Sequence, residues 1–443
     1  MATGALLTRY SMSTLDDFKV DNLFLLVGTN PLPNYVAGRA LLHSSEGSRV
    51  FLVYSLDTCE QRQHLEDALR QHGIESFVNI LVEESNPVDI ENRIAQEAAA
   101  LKGRVGLNYT GGTKAMAVYS VLSLQKLHQT GKVPHVQFSY LDARTLRLVI
   151  AGSTQGTHLV GTDIQVTLKD LLTLHSRGSS CEIAPLWPAT ASAIAAIHTQ
   201  PSLRTSWHSW IATMFFKEPP WPTITEQTID AANDRWQTWV REQFVLQEYR
   251  RRRWKSKTEL EKTLLEMPAA FIDVEQALLQ ELGLVTQTNL RDIMRHGKFT
   301  KSEDLGKWFE GTWLESYVFS QVQELQRSNQ PDIVDSARSI QAHSHQQVEI
   351  DVAFTRGYQL FGLSCTSSSD RGLCKSKLLE VVIRAEQLGG AEARAGLVCC
   401  SEEPTLLQQE VSDLFGKNVR VFGQAHLMQI KDHLVRWIAD VSS

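Results

Sequence analysis

The stretch RVGLNYTGGTKAMA (104–117) decides how this sequence is read. An apolar run gives way within a few residues to two glycines, a threonine and a lysine, and then to alanine- and methionine-rich sequence. That is a strand, a tight turn and the opening of a helix. Gly111 and Gly112 expose backbone N–H groups, Thr113 is placed to cap the helix, and Lys114 adds a positive charge.

Outward from this stretch the same alternation repeats. NLFLLV (22–27), RVFLVYS (49–55), FVNILVE (77–83) and HVQFSYLD (135–142) are β-rich, and TCEQRQHLEDALRQHG and VDIENRIAQEAAALKG between them are helical. Apolar strands separated by amphipathic helices predict an α/β, doubly wound parallel sheet. Ligands of such sheets bind beyond the carboxyl ends of strands, where glycine loops let a backbone approach phosphate. A second loop of this kind, VGTNPLPN (27–34), follows the first strand; Gly28 permits a tight turn, and Thr29 and Asn30 offer hydrogen bonds. Neither loop matches G-x-G-x-x-G or GxxxxGK[ST], which removes the main support for an NAD-dependent or ATP-hydrolysing enzyme.

A chain of 443 residues permits two or three domains. No stretch nears the roughly 18 apolar residues of a membrane span, and MATGALLTRYSMSTLDD reads as no secretory signal. Six scattered cysteines without a CxxC pair predict neither a disulfide framework nor a structural zinc site, and a cytoplasmic location. A net charge of −6 gives no global footprint for nucleic acid, which argues against a DNA-coating protein but not against an enzyme with its positive charge in one cleft. The basic run RRRRWKSK (250–257) reads equally as a solvated helix face or a phosphate contact. From about 165 to 300 the chain is mostly helical. Trp207, Trp210, Trp221, Trp236 and Trp239 read as a local core rather than as base-stacking groups, and FKEPPWPT (216–223) as a loop.

After Glu303 the pattern changes. The helix DLGKWFEGTWLESYVFSQVQELQ (304–326) leads into strands around 333–340, 347–355 and 358–365. The helix KSKLLEVVIRAEQL (375–388), strands RAGLVCC (394–400) and NVRVFG (418–423), and a C-terminal helix complete a small mixed α/β domain. In VEIDVAF (348–354) alternation puts Glu349 and Asp351 on one face. Such a pair is costly to bury without a cation, although an exposed acidic strand face is the plain alternative. Phosphodiester hydrolysis uses a divalent metal, and a hard metal takes carboxylates from neighbouring strands.

NYTGGTKAMA after a fourth strand, combined with VGTNPLPN after the first, resembles the CRISPR-associated Rossmann-fold (CARF) sensor domain. More narrowly, the chain resembles the CRISPR ancillary nucleases, in which that sensor is fused to a PD-(D/E)xK nuclease domain; the resemblance covers roughly 18–175 and 300–400. It implies a CARF sensor at 18–160, a mainly helical connecting region at 161–300 and a restriction-endonuclease-like domain at 301–443. It also implies a homodimer whose paired sensors bind one cyclic oligoadenylate, commonly cyclic tetra-adenylate, in a shared cleft. Gly28, Thr29, Asn30, Thr110, Gly111, Gly112, Thr113 and Lys114 would line the ring.

On the nuclease side the resemblance runs from VEID through LFGLSC to AEQLGGAEARAGLV, and GTWLESYV (311–318) resembles the family's first helix. Glu349 and Asp351 would hold Mg²⁺ or Mn²⁺ with Glu315 assisting. The family's (D/E/S)-C-K at the end of the second strand reads here Ser364-Cys365-Thr366, so the lysine is lost. Lys377 or Lys375 on the following helix is expected to replace it. Lys377 shares a face with Glu380 and Arg384, apart from the apolar face of Leu378, Val381, Val382 and Ala385, and positive charge at a helix start opposes the helix dipole. The expected function is an allosteric, metal-dependent nuclease of type III CRISPR antiviral defence, cutting single-stranded RNA, DNA or both. Two alternatives stand beside it. One is a catalytically inactive sensor that binds nucleic acid or a partner. The other is a nucleotide-dependent transcription regulator with a helix-turn-helix in KTELEKTLLEMPAAFIDVEQALLQELGL (257–284).

Overall fold

A computed structural model describes residues 15–142, 145–152, 157–161, 163–175, 178–217, 254–260, 267–284, 290–329, 331–343 and 347–440. Trp221, Trp236, Trp239, Arg250 to Arg253 and most of FKEPPWPT lie outside them.

The first sheet carries the five apolar runs as parallel strands: β1 (Asn22–Leu26), β2 (Arg49–Tyr54), β3 (Phe77–Leu81), β4 (Arg104–Asn108) and β5 (His135–Asp142). Four helices connect them: α1 (Leu32–Leu41), α2 (Cys59–Arg70), α3 (Pro87–Ala98) and α4 (Lys114–Gln129). β1 is buried along its whole length because both faces are covered. Leu23 and Leu25 pack with α1 and α2, while Phe24 and Leu26 pack with α3 and α4. Start signals are local: Pro87 opens α3, and the Asn86 side chain accepts from Val88 N and Asp89 N at 3.2 Å each.

The order β3-β2-β1-β4-β5 places a switch point between β1 and β4, from which the chain departs to opposite faces. The two glycine loops follow these two strands. Antiparallel strands β6 (Arg147–Ile150) and β7 (Thr157–Leu159) extend the β5 edge, an addition to the parallel sheet that the sequence reading did not include.

After α5 (Leu168–His175), strand β8 (Gly178–Glu182) crosses into a second sheet. Helices α6 (Pro188–His198), α7 (Pro201–Phe215), α8 (Lys257–Leu260), α9 (Ile272–Leu282), α10 (Leu290–His296), α11 (Ser302–Lys307) and α12 (Trp313–Ser328) precede β9 (Asp335–His343), β10 (Gln347–Arg356) and β11 (Gln359–Thr366). Helix α13 (Arg371–Gly389), β12 (Arg394–Cys399), α14 (Pro404–Phe415), β13 (Val419–Phe422) and α15 (Ile430–Asp440) complete it. The order is β13-β12-β11-β10-β9-β8, antiparallel from β8 to β11 and parallel from β11 to β13. Val352, Phe354, Phe361 and Leu363 face α12 and α15, and Ala353, Leu360, Ala395 and Leu397 face α13 and α14. Trp207 and Trp210 are buried with Phe271 and Phe309 in the α12 core.

Three details depart from the sequence reading. The helix expected at 304–326 is interrupted: Trp308–Thr312 is a single π-helical turn between α11 and α12, a feature frequent at functional sites. Helix α14 stands between the last two strands. Finally, one hydrophobic cluster runs without a break from α1, α2 and α5 into β9, α13 and β12, so the two sheets share a core. Val166 N donates to Gly357 O at 2.9 Å and Leu168 N to the Asp335 carboxylate at 3.0 Å across the same seam. Among the described residues no helix is long and apolar enough to cross a membrane.

Candidate active site and sensor cleft

The two glycine loops of the first sheet converge. A Cβ on Gly28 would stand 2.9 Å from Gly112 N, and one on Gly111 would stand 2.2 Å from Leu26 O and 2.8 Å from Asn34 Oδ1. Gly112 has φ +71°, so it answers a conformational demand as well. The fully buried Asn34 donates through Nδ2 to Leu26 O at 2.9 Å and so ties α1 to the end of β1.

Several expected ligand groups are spent on the loop itself. Thr110 Oγ1 donates to Asn108 Oδ1 at 2.8 Å and accepts from Leu141 N at 2.7 Å. Thr113 Oγ1 caps α4 by accepting from Met116 N at 3.2 Å. Asn30 Oδ1 accepts from Leu32 N at 2.9 Å. Thr29 and Lys114 are exposed beside the loops. Sequence reasoning missed the half-buried Tyr109, whose ring centroid lies 5.7 Å from that of Tyr140. It also missed an apolar stripe at the same edge, where Val118 and Leu122 on α4 are 52% and 47% exposed and Tyr140 37%.

In the second sheet, Asp351 lies near the middle of β10 and is held from β11. Ser364 Oγ donates to Asp351 Oδ2 at 2.9 Å, and Cys365 N donates to the same oxygen at 2.7 Å. Ser364 and Cys365 therefore orient the carboxylate. The other oxygen receives no hydrogen bond among the described residues. Burial pushes the Asp351 carboxyl up from its ordinary range; the two hydrogen bonds and the Lys377 ammonium oppose this, and Glu349 adds to it.

Glu315, in the first turn of α12, is pushed up by burial and then by Asp351 and Glu349, while Arg338 pulls it back. Glu349 is exposed at the rim. The π-helical turn preceding Glu315 is fastened to the loop after β11, since Ser367 Oγ donates to Glu310 O at 2.9 Å.

The two candidate lysines are in different surroundings. Lys375 ion-pairs with Glu410 of α14 at 3.5 Å, and Arg371 pairs with the same carboxylate. Lys377 lies 3.4 Å from Glu380 and is the cation whose field reaches Asp351. Thr366 is partly buried, and its Oγ1 accepts from Ser368 N at 3.3 Å.

Arg338 is a further cation that sequence reasoning did not find. It is 6% exposed, donates through Nε to Ala184 O at 3.0 Å, and pairs with Glu182 of β8. Its neighbour Ser339 has φ +49°, and the β8–β9 register slips between Ser180 and Glu182. This bulge lies opposite Asp351, the kind of place where bulges re-aim side chains. A lone arginine within a strand carries no periodic signal, so only the fold reveals it.

Among the described residues, no three His, Cys, Asp or Glu side chains come together as a ready metal cage. The donor chemistry nonetheless fits a hard divalent cation. Mg²⁺ commonly takes one or two protein carboxylates, with water and substrate phosphate completing the shell. Asp351 and Glu315 are both desolvated, and Asp351 raises Glu315 further; a cation would relieve both.

Comparison with known proteins gives one match to a domain family and two matches in fold. Residues 302–441 match the family described as Card1-like, endonuclease domain. Protein VC1899 from Vibrio cholerae is similar over 95% of this chain and 98% of its own, at 17% identity and a TM-score of 0.59. Can2 from Sulfobacillus thermosulfidooxidans, solved in complex with cyclic tetra-adenylate, is similar over 96% and 99%, at 15% identity and a TM-score of 0.57. No curated protein matches the chain. Residues 302–441 thus match the Card1-like endonuclease-domain family, and the chain shares its fold with these two proteins, in line with its resemblance to the CRISPR ancillary nucleases.

Proposed function

We propose that the chain is a cyclic oligoadenylate-activated, metal-dependent nuclease of type III CRISPR defence that cleaves single-stranded RNA, DNA or both. The observation that carries this reading is the Asp351 site. A carboxylate oriented by Ser364 and Cys365 stands beside the desolvated Glu315, within the field of Lys377, in a domain matched to an endonuclease family.

In this reading Asp351 and Glu315 would hold Mg²⁺ or Mn²⁺, with Glu349 closing the rim. A bound cation would supply charge stabilisation and a more acidic water. Lys377 takes the place of the lysine that Thr366 lacks: it offsets charge near Asp351 and orients the attacking water. Lys375, committed to Glu410, contributes to the α13–α14 packing instead. Arg338, clamped by Glu182 and Ala184 O, keeps a fixed positive charge near Glu315 and so limits the repulsion within the carboxylate group.

The sensor reading, with the domain at 18–160, draws on the converging glycine loops at the β1/β4 switch point and on the similarity in fold to Can2, which was solved with cyclic tetra-adenylate. Backbone N–H groups of Gly28, Gly111 and Gly112 meet the phosphates, with Thr29, Asn30 and Lys114 at the mouth and Tyr109 available to stack. Thr110 and Thr113 shape the loop. The Val118, Leu122 and Tyr140 stripe supports a homodimer that would bury it.

The test is cleavage of fluorescent single-stranded RNA and DNA probes with Mn²⁺, with and without cyclic tetra-adenylate. Cleavage that rises with the ring and disappears in Asp351→Ala is expected. No cleavage with any ring or metal, in a folded protein, leaves only the inactive-sensor reading.

A further inference from the structure

The two candidate sites are joined by one helix. Asn30 belongs to the first glycine loop, and because its Oδ1 is occupied by Leu32 N, its Nδ2 is directed out of the loop. That Nδ2 rests on Gly390: a Cβ built there would lie 2.2 Å from it and 2.9 Å from Glu392 Oε2. Gly390, with φ +73° and ψ −165°, is the C-cap of α13.

At its other end α13 carries Lys377, and along its length it packs on β11 and β12. β11 is the strand whose Ser364 and Cys365 hold Asp351. A helix of 19 residues spans about 28 Å at 1.5 Å per residue, so one stiff rod connects the sensor loop to the candidate catalytic face.

The seam at the Asn30 end is polar, closed and incompletely satisfied. Glu392 is 2% exposed, and its Oε1, the Tyr358 hydroxyl and Arg394 Nε have no hydrogen-bond partner among the described residues. Buried polar groups are nearly always paired. Several unpaired ones in one seam mark an arrangement that a small shift would complete, which is the property a two-state contact requires.

We propose that the Asn30–Gly390 contact is a latch: it restrains the C-terminal end of α13, and a ligand that recruits Asn30 to the cleft releases the helix and resets Lys377 against Asp351. The inference rests on the sensor and nuclease assignments above and adds the route between them. A ligand acts here only through its different interaction with the latched and released states, so the coupling is reciprocal.

The test uses the full-length protein with two variants that break the contact from opposite sides. Gly390→Ala places a Cβ on the Asn30 amide at a positive φ, and Asn30→Ala removes the amide. Three quantities are read: affinity for labelled cyclic tetra-adenylate, cleavage with and without the ring, and hydrogen exchange over residues 384–393. Ring-free cleavage should rise about tenfold in both variants, a usual size for linked sites. Gly390→Ala, which leaves the ligand loop intact, should bind the ring more tightly by up to the same factor, because the ring no longer has to undo the contact. Exchange over 384–393 should quicken in both variants, and in the wild type on ring binding.

Unchanged exchange in both variants overturns the latch, as does stimulation by the ring at the wild-type ratio. A loss of stimulated cleavage with no rise in the ring-free rate overturns it too, because a restraint must hold activity back. If Gly390→Ala fails to fold, Asn30→Ala read without ring decides alone. A wild type that does not bind the ring refutes the sensor assignment, while variant exchange still judges the latch.

Discussion

Glu392 offers a quantitative test of the seam between the two sheets. Its side chain is 2% exposed, and its carboxyl is pushed up from 4.5 to about 7, chiefly by burial, with a backbone hydrogen bond and Arg394 opposing. A carboxyl that holds its proton more tightly folded than unfolded favours the fold at low pH. That contribution disappears as the pH rises from 4.5 through about 7. The rise from 4.5 to about 7, at 1.36 kcal/mol per tenfold change in proton affinity, corresponds to about 3 kcal/mol once both states are ionised.

Glu392→Gln removes the ionisation and keeps the shape, and the bond from Gln359 Nε2 to Glu392 O is to the backbone and survives. Urea unfolding of both proteins across the pH range supplies the difference in stability, in which groups common to both cancel. The variant should gain under about 0.5 kcal/mol on the wild type near pH 4.5, about 1.5 near pH 5.5 and about 3 near pH 7.5. A difference that stays flat across this window refutes the reading of a dry Glu392 with an unpaired Oε1, and with it the incomplete seam.

Three further outcomes follow from the sites. Asp351→Asn should lower cleavage by more than the ~10–100-fold typical of losing an outer-shell partner, yet leave the metal-free protein at least as stable, because a desolvated charge that repels Glu315 is removed; a lower metal-free melting temperature would contradict this. Lys377→Ala should lower cleavage about 10²-fold, the scale of one electrostatic stabiliser, with partial rescue by Thr366→Lys. Lys375→Ala should stay within about twofold, since its surface pair with Glu410 carries little energy, and equal losses in the two lysine variants would show that the site has been misread. Val118→Asp with Leu122→Asp should halve the mass seen in sedimentation, whereas an unchanged dimer would place the interface elsewhere.

The first sheet was legible because its strands are buried on both faces and its helices are amphipathic, so hydrophobic periodicity alone delimits them. The same signal fails for β8, whose sequence GSSCE has almost no apolar content and is a strand only because the β9 edge accepts it. The Glu349 and Asp351 pair was visible as alternation in β10. Glu315 came only through resemblance, since a glutamate in a helix is ordinary until the fold places it. The choice between Lys375 and Lys377 was open in sequence because two residues two apart in a helix point in different directions. It takes the position of α14, a helix the reading passed over, to show that Glu410 occupies Lys375. Arg338 and its bulge, like the Asn30–Gly390 contact, join residues far apart in sequence, and no local pattern records them.

The shared core has a consequence for how the molecule is handled and how it works. Because one apolar mass, from Leu25 through Leu171 to Leu378 and Leu397, belongs to both sheets, the chain cannot be cut between them without opening that core. A nuclease half expressed alone would present a wet apolar face and gather into aggregates, and so would an isolated sensor half. A signal crossing such a solid cannot swing one half about a hinge. It must travel as a change of packing, felt in the same close-fitted interior that holds the protein together.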